Sequence, residues 1–138
     1  MGLDMYLYRT KKIEGINSPE EYGKLSFTAK YDDVGYWRKA NAIHQWFVKN
    51  AQVDEKNSFS FAFITKQQLE NLMNVVTKVL NDHTLAESLL PTQAGFFFGS
   101  TEYDEWYFTN VEKTRDTLER ALLETDWEKQ VVLYHASW

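Results

Sequence analysis

The stretch Gly95–Phe108, GFFFGSTEYDEWYF, does most to limit what this chain can fold into. Phe96, Phe97 and Phe98 form a short apolar run between Gly95 and Gly99. Such a run suits a strand buried on both faces better than a helix, because aromatic side chains favour the pleated surface. Gly99 then lets the chain turn without a Cβ clash. Ser100 or Thr101 offers an oxygen to the free N–H groups of a helix start, with Asp104 three residues after Thr101. Glu102, Asp104 and Glu105 place negative charge where that helix's dipole is positive. Tyr107, Val111, Thr114, Leu118, Ala121, Leu122 and Thr125 follow at helical spacing. The segment predicts a strand at 95–98, a tight turn and a helix near 102–126. A site is expected at the turn.

The remaining elements are read from periodicity. Leu3, Met5 and Leu7 alternate with Asp4, Tyr6 and Tyr8, which predicts a strand over 3–8 with one apolar and one mixed face. Residues 9–24 read as a loop with a helical turn from Pro19 to Tyr22. Leu25–Tyr31 is an edge strand or an extended loop. Asp32-Asp33-Val34-Gly35 is turn chemistry, and a helix is expected over 36–50, with Tyr36, Ala40, Ile43 and Phe47 on its core stripe. A strand at 59–64 precedes Thr65 and Gln68, a capping box that opens a helix over 65–82. Leu85–Leu90 reads as a further helical turn closed by Pro91, and Val131–His135 lies in a last strand over 130–136.

Composition narrows the classes of function. A chain of 138 residues is one domain of ordinary size, and 43% hydrophobic with 25% charged residues is globular rather than disordered. Aromatics reach 16%, so an aromatic-rich surface is expected beside an aromatic core. A net charge of −5 argues against nucleic acid as a partner, since that needs clustered Lys and Arg. The absence of cysteine excludes disulfides, Cys-ligated zinc and thiol catalysis. With no signal peptide and no membrane-length apolar run, a cytoplasmic protein without membrane contact is expected. Met1-Gly2 is not a myristoylation start, because position 6 is Tyr where that motif requires Ser or Thr.

Few residues carry chemistry. His44, His83 and His135 lack the spacing of a helical metal pair, and no metal or cofactor site is expected. His83 reads as a cation at a helix C-terminus and His135 as a strand histidine sharing a face with Val131 and Leu133. Gly95–Gly99 is neither a dinucleotide fingerprint nor a Walker loop, and the carboxylates after it would repel a phosphate. No serine nucleophile motif is present. What remains is an acid–base or metal-assisted alternative. In it Asn41 and His44, one helical turn apart, meet Glu102 and Asp104 from the turn and Asp4 from the first strand. A carboxylate on one imidazole nitrogen would raise the basicity of the other, provided these distant segments converge. A plain structural role for each residue competes with this reading throughout.

Three blocks also carry a resemblance. MGLDMYLY at the N-terminus, YWRKANAIH-x-WFV over residues 36–48 and GFFFGS-x-EYDE-x-Y over 95–107 are similar to a set of small proteins encoded by bacteriophages and prophages. The shared terminal strand, Val131–Trp138, closes in SW. The resemblance covers nearly the whole chain and implies a phage-derived accessory protein in the host cytosol. It brings no activity or site residues with it.

Together these observations predict a single α+β domain: a mostly antiparallel sheet of about four to five strands with three main helices packed on it. A partly parallel sheet is the alternative that strand–helix alternation allows. The expected function is non-enzymatic binding of another protein, of host or phage, with inhibition of a defence or nuclease complex as one form and self-association as another. Trp37, Trp46, Trp106, Tyr107 and Trp138 are the expected interface, because aromatic side chains supply contact area at low entropic cost.

Overall fold

The computed structural model describes residues 2–25, 31–56, 60–95 and 98–138. The N-terminal alternation builds β1 (Asp4–Lys11), which buries Met5 and Leu7 and turns Asp4, Tyr6 and Tyr8 to the opposite face. After the short helix α1 (Pro19–Lys24), capped by the Ser18 side chain, the chain forms β2 (Asp32–Arg38) antiparallel to β1. β3 (Phe61–Ile64) and β4 (Gln130–Ser137) complete one sheet in the order β2-β1-β4-β3, and every pairing is antiparallel. The α+β expectation holds, and the partly parallel alternative does not form.

Three helices cover one face of this sheet. They are α2 (Asn41–Asn50), α3 (Lys66–Asn81) and, after the short α4 (Ala86–Leu89), α5 (Glu105–Glu124). Ile43 and Phe47 of α2, Leu69, Leu72 and Val76 of α3, and Val111 and Leu118 of α5 share one core with Met5, Leu7, Val132 and Tyr134 of the strands. The capping box that opens α3 is formed, with Thr65 and Gln68 each satisfying the other's backbone N–H.

Two predicted elements are corrected. Asp32-Asp33-Val34-Gly35 and Tyr36–Arg38 are not turn and helix but β2, and the helix starts only at Asn41. Pairing with β1 overrides the local turn signal. A register shift opposite Leu7/Tyr8 absorbs Val34, and Lys39, held at φ 55°, breaks the strand before the helix. The strand predicted at 95–98 is also absent at its described ends: Gly95 and Phe98 belong to a turn closed by the Phe98 N–H donating to the Gly95 carbonyl, while Phe96 and Phe97 lie outside the described residues. Gly99 does make the expected turn, at φ +91°, where its bare Cα sits against Lys39. The cap of α5 is Asp104, whose carboxylate accepts from the Tyr107 N–H, rather than Ser100 or Thr101. Of the uncertain stretch Leu25–Tyr31, residues 26–30 fall outside the described part, as does Phe59 at the start of the predicted third strand.

Candidate functional site

Of the residues expected to form an acid–base site, Asp4 is separated from His44 by the sheet. Asp4 stands on the face away from the main helices, where its Oδ1 accepts from the Tyr36 hydroxyl at 2.6 Å and from Arg38 Nη1 at 2.9 Å. The Tyr36 hydrogen bond is the largest effect on its carboxyl; it outweighs burial, which acts the other way, and with the lesser Arg38 bond and charge holds the group below the usual range. His44 lies on the helix-covered side. It is 2% exposed, and its Nδ1 is 2.6 Å from the Tyr134 hydroxyl. Burial pushes its pKa down to about 4, so the ring is neutral at pH 7.

Asn41 is a structural tie. Its Nδ2 donates to the carbonyls of Phe98 and Ser100, and its Oδ1 accepts from the Gln93 N–H, so one amide pins the segment 93–100 to α2. Asp104 is spent on the helix cap. Glu102 does share a recess of about 310 Å³ with Asn41, Lys39 and Trp106, but His44 is not among the residues lining it. Among the described residues no three His, Asp or Glu side chains come together as a metal site. The five candidates do not form one centre.

The predicted interface divides in the same way. Trp37 is fully buried, with its indole N–H donating to the Thr114 hydroxyl, and Trp46 and Tyr107 are buried as well. Tyr107 instead ties α5 to the Leu90 carbonyl. These three belong to the core cluster. Trp106 is 56% exposed and Trp138 partly so, and only these two of the set reach the surface.

The sequence reading missed a different aromatic surface. On the outer face of the sheet, Phe61, His135, Tyr6 and Tyr36 occupy directly paired positions, one from each strand. They form a continuous row: ring centroids are 4.2 Å apart for Phe61–His135, 5.9 Å for His135–Tyr6 and 5.2 Å for Tyr6–Tyr36. Tyr8 stacks beside Tyr6 at 5.5 Å with planes 6° apart, and Tyr31 meets Tyr8 edge-on. α1 covers only the β3 end, where Tyr22 stands edge-on to Phe63 and Gly23 lies against the Phe61 ring. A Cβ at Gly23 would come within 2.5 Å of that ring.

Phe61, His135, Tyr6 and Tyr8 stack on one another, which leaves a planar base less open face to stack on along that part of the row. The polar tips remain. Tyr6 and Tyr8 make no hydrogen bond through their hydroxyls among the described residues, and Tyr36 is 41% exposed. His135 Nδ1 meets the Ser60 carbonyl, which fixes the ring, and burial lowers its pKa. Burial raises the Tyr8 hydroxyl to about 12, so it stays protonated and available as a donor. Lys113 lies 5.8 Å from the Tyr36 ring centre, and the Tyr36 hydroxyl meets the Asp4 carboxylate of the Asp4–Arg38 ion pair. The surface is thus apolar in its body, tipped with neutral hydroxyls and edged with both signs of charge.

Comparisons with known proteins leave the reading to these residues: no family model matches the chain, and no curated protein or solved structure is significantly similar to it. No helix among the described residues is long and apolar enough to cross a membrane.

Proposed function

We propose that this chain is a non-enzymatic, phage- or prophage-derived accessory protein that binds another protein through the outer face of its sheet. The row Phe61–His135–Tyr6–Tyr36 carries the reading. Tyrosines held rigid by stacking give amphipathic contact area with little entropy left to lose, and their hydroxyls match the carbonyls and amides of a polypeptide surface. Nucleic acid fits less well, because Phe61, His135, Tyr6 and Tyr8 stack on one another and the chain carries net charge −5. A host or phage protein is the proposed partner, and blocking a defence or nuclease complex is the form of action that a small protein of this origin suggests.

The test compares captures made with three proteins. Wild type, Tyr6→Ser/Tyr36→Ser and Trp106→Ser are used as baits in host lysate, after circular dichroism shows all three folded. A partner held by wild type and Trp106→Ser but lost by the double variant supports the reading. Equal capture by all three, or loss only with Trp106→Ser, overturns it. Light scattering on the purified chain separates a second copy of itself from a foreign partner.

A further inference from the structure

The helix-covered side of the sheet holds a polar group that the docking face does not use. Tyr134 is 1% exposed, and among the described residues its hydroxyl makes no hydrogen bond other than the one to His44 Nδ1. A buried phenol donates its proton where it has one acceptor, so Nδ1 accepts and the neutral imidazole carries its own proton on Nε2. Nε2 has no partner among the described residues. Yet among their buried side-chain nitrogen and oxygen atoms only Trp127 Nε1 is left unsatisfied. His44 Nε2 is therefore not sealed in the core but open at one point.

That opening is a groove of about 590 Å³ whose lining includes His44, Gln45, Glu55, Gln93, Phe98 and Trp138. Phe98 and Trp138 stand steeply to the imidazole, at 5.6 Å and 5.3 Å between centroids, and line the same groove. Gln93 spends its Nε2 on the Ala94 carbonyl, which leaves Oε1 as an acceptor. The Asn41 bond to the Gln93 backbone holds that residue in place. The groove thus pairs a nearly buried donor with an acceptor in a lining that includes two aromatic rings.

The electrostatics select the class of ligand. A neutral imidazole N–H asks for an acceptor and supplies no charge to hold an anion, while Glu55 at the groove repels one. A group with an acceptor and a donor side by side, and no net charge, satisfies both His44 and Gln93. We propose that this groove binds a small, planar, neutral carboxamide or lactam, whose carbonyl oxygen accepts from His44 Nε2 and whose N–H donates to Gln93 Oε1. The site is on the opposite side of the sheet from the docking face, and either can fail without the other.

Benzamide is the probe and benzoate its anionic counterpart, each titrated into ¹⁵N-labelled protein. The expected result is a saturable shift of the His44 Nε2 and Trp138 indole signals with benzamide, and binding of benzoate at least about tenfold weaker, the equivalent of one lost hydrogen bond. Gln93→Ala is expected to weaken benzamide by about the same factor, and His44→Phe to abolish the response. Should His44→Phe fail to fold, Gln93→Ala and the imidazole ¹⁵N spectrum still decide. A spectrum with the proton on Nδ1, no saturable shift, equal affinity for benzoate, or benzamide binding unaltered by Gln93→Ala overturns the proposal.

Discussion

At the scale of single residues, His44 and Tyr134 govern how the core responds to acid. The His44 pKa falls from 6.5 to about 4 on folding, so the unfolded chain takes up this proton first as pH drops. The stabilisation is complete above pH 6.5 and is lost as pH falls toward 4, by on the order of 3 kcal/mol. His135 shifts in the same direction and adds to the slope. Urea midpoints at pH 7 and pH 4.5 are expected to differ widely for wild type and less for His44→Phe. Tyr134→Phe leaves the buried Nδ1 without its partner and is expected to lower stability by about 1–3 kcal/mol at pH 7. Asn41→Ala removes three hydrogen bonds to the segment 93–100. Faster amide exchange in that segment, more than in the strands, is the expected result. The sequence placed Asn41 and His44 one turn apart on a half-buried stripe. What each one bonds depended on Phe98, Ser100 and Tyr134, which lie 57, 59 and 90 residues away.

At the scale of elements, local signals sufficed wherever the element carries its own start and stop. The third helix was legible because Thr65, Gln68 and the apolar stripe all agree, and β1 because its apolar period is two. β2 was not legible, since Asp32-Asp33-Val34-Gly35 is good turn chemistry and only the exposed edge of β1 draws it into a strand. Gly35 has a specific reason to be there. A Cβ would come within 2.5 Å of the Thr117 methyl on α5, so Gly35→Ala forces α5 away from β2. A loss of about 1–3 kcal/mol in denaturant unfolding is expected. Asp104→Ala, which removes the α5 cap, is expected to lose about 1 kcal/mol by the same measurement. The 95–98 run misled for a related reason. Phe98 is buried against His44 and Trp138 rather than in the sheet, so aromatic character gave its burial but not its backbone.

At the scale of the whole molecule, the candidate docking face exists only once four strands are in register. The alternation of residues 3–8 already set Asp4, Tyr6 and Tyr8 on one face, but Tyr36, His135 and Phe61 join them through pairings that no local pattern encodes. The same pairing buried Trp37 on the other side, which is why it belongs to the core while Trp106 and Trp138 reach the surface. A protein partner on this outer face is what the proposed function requires. A photo-crosslinking phenylalanine analogue placed at Tyr6 or Tyr36, and for comparison at Leu123, which is 79% exposed on α5, tests it in cells. One discrete protein adduct is expected from positions 6 and 36 and none from position 123. Adducts from position 123 alone, or none from positions 6 and 36 in a folded, expressed protein, would contradict it.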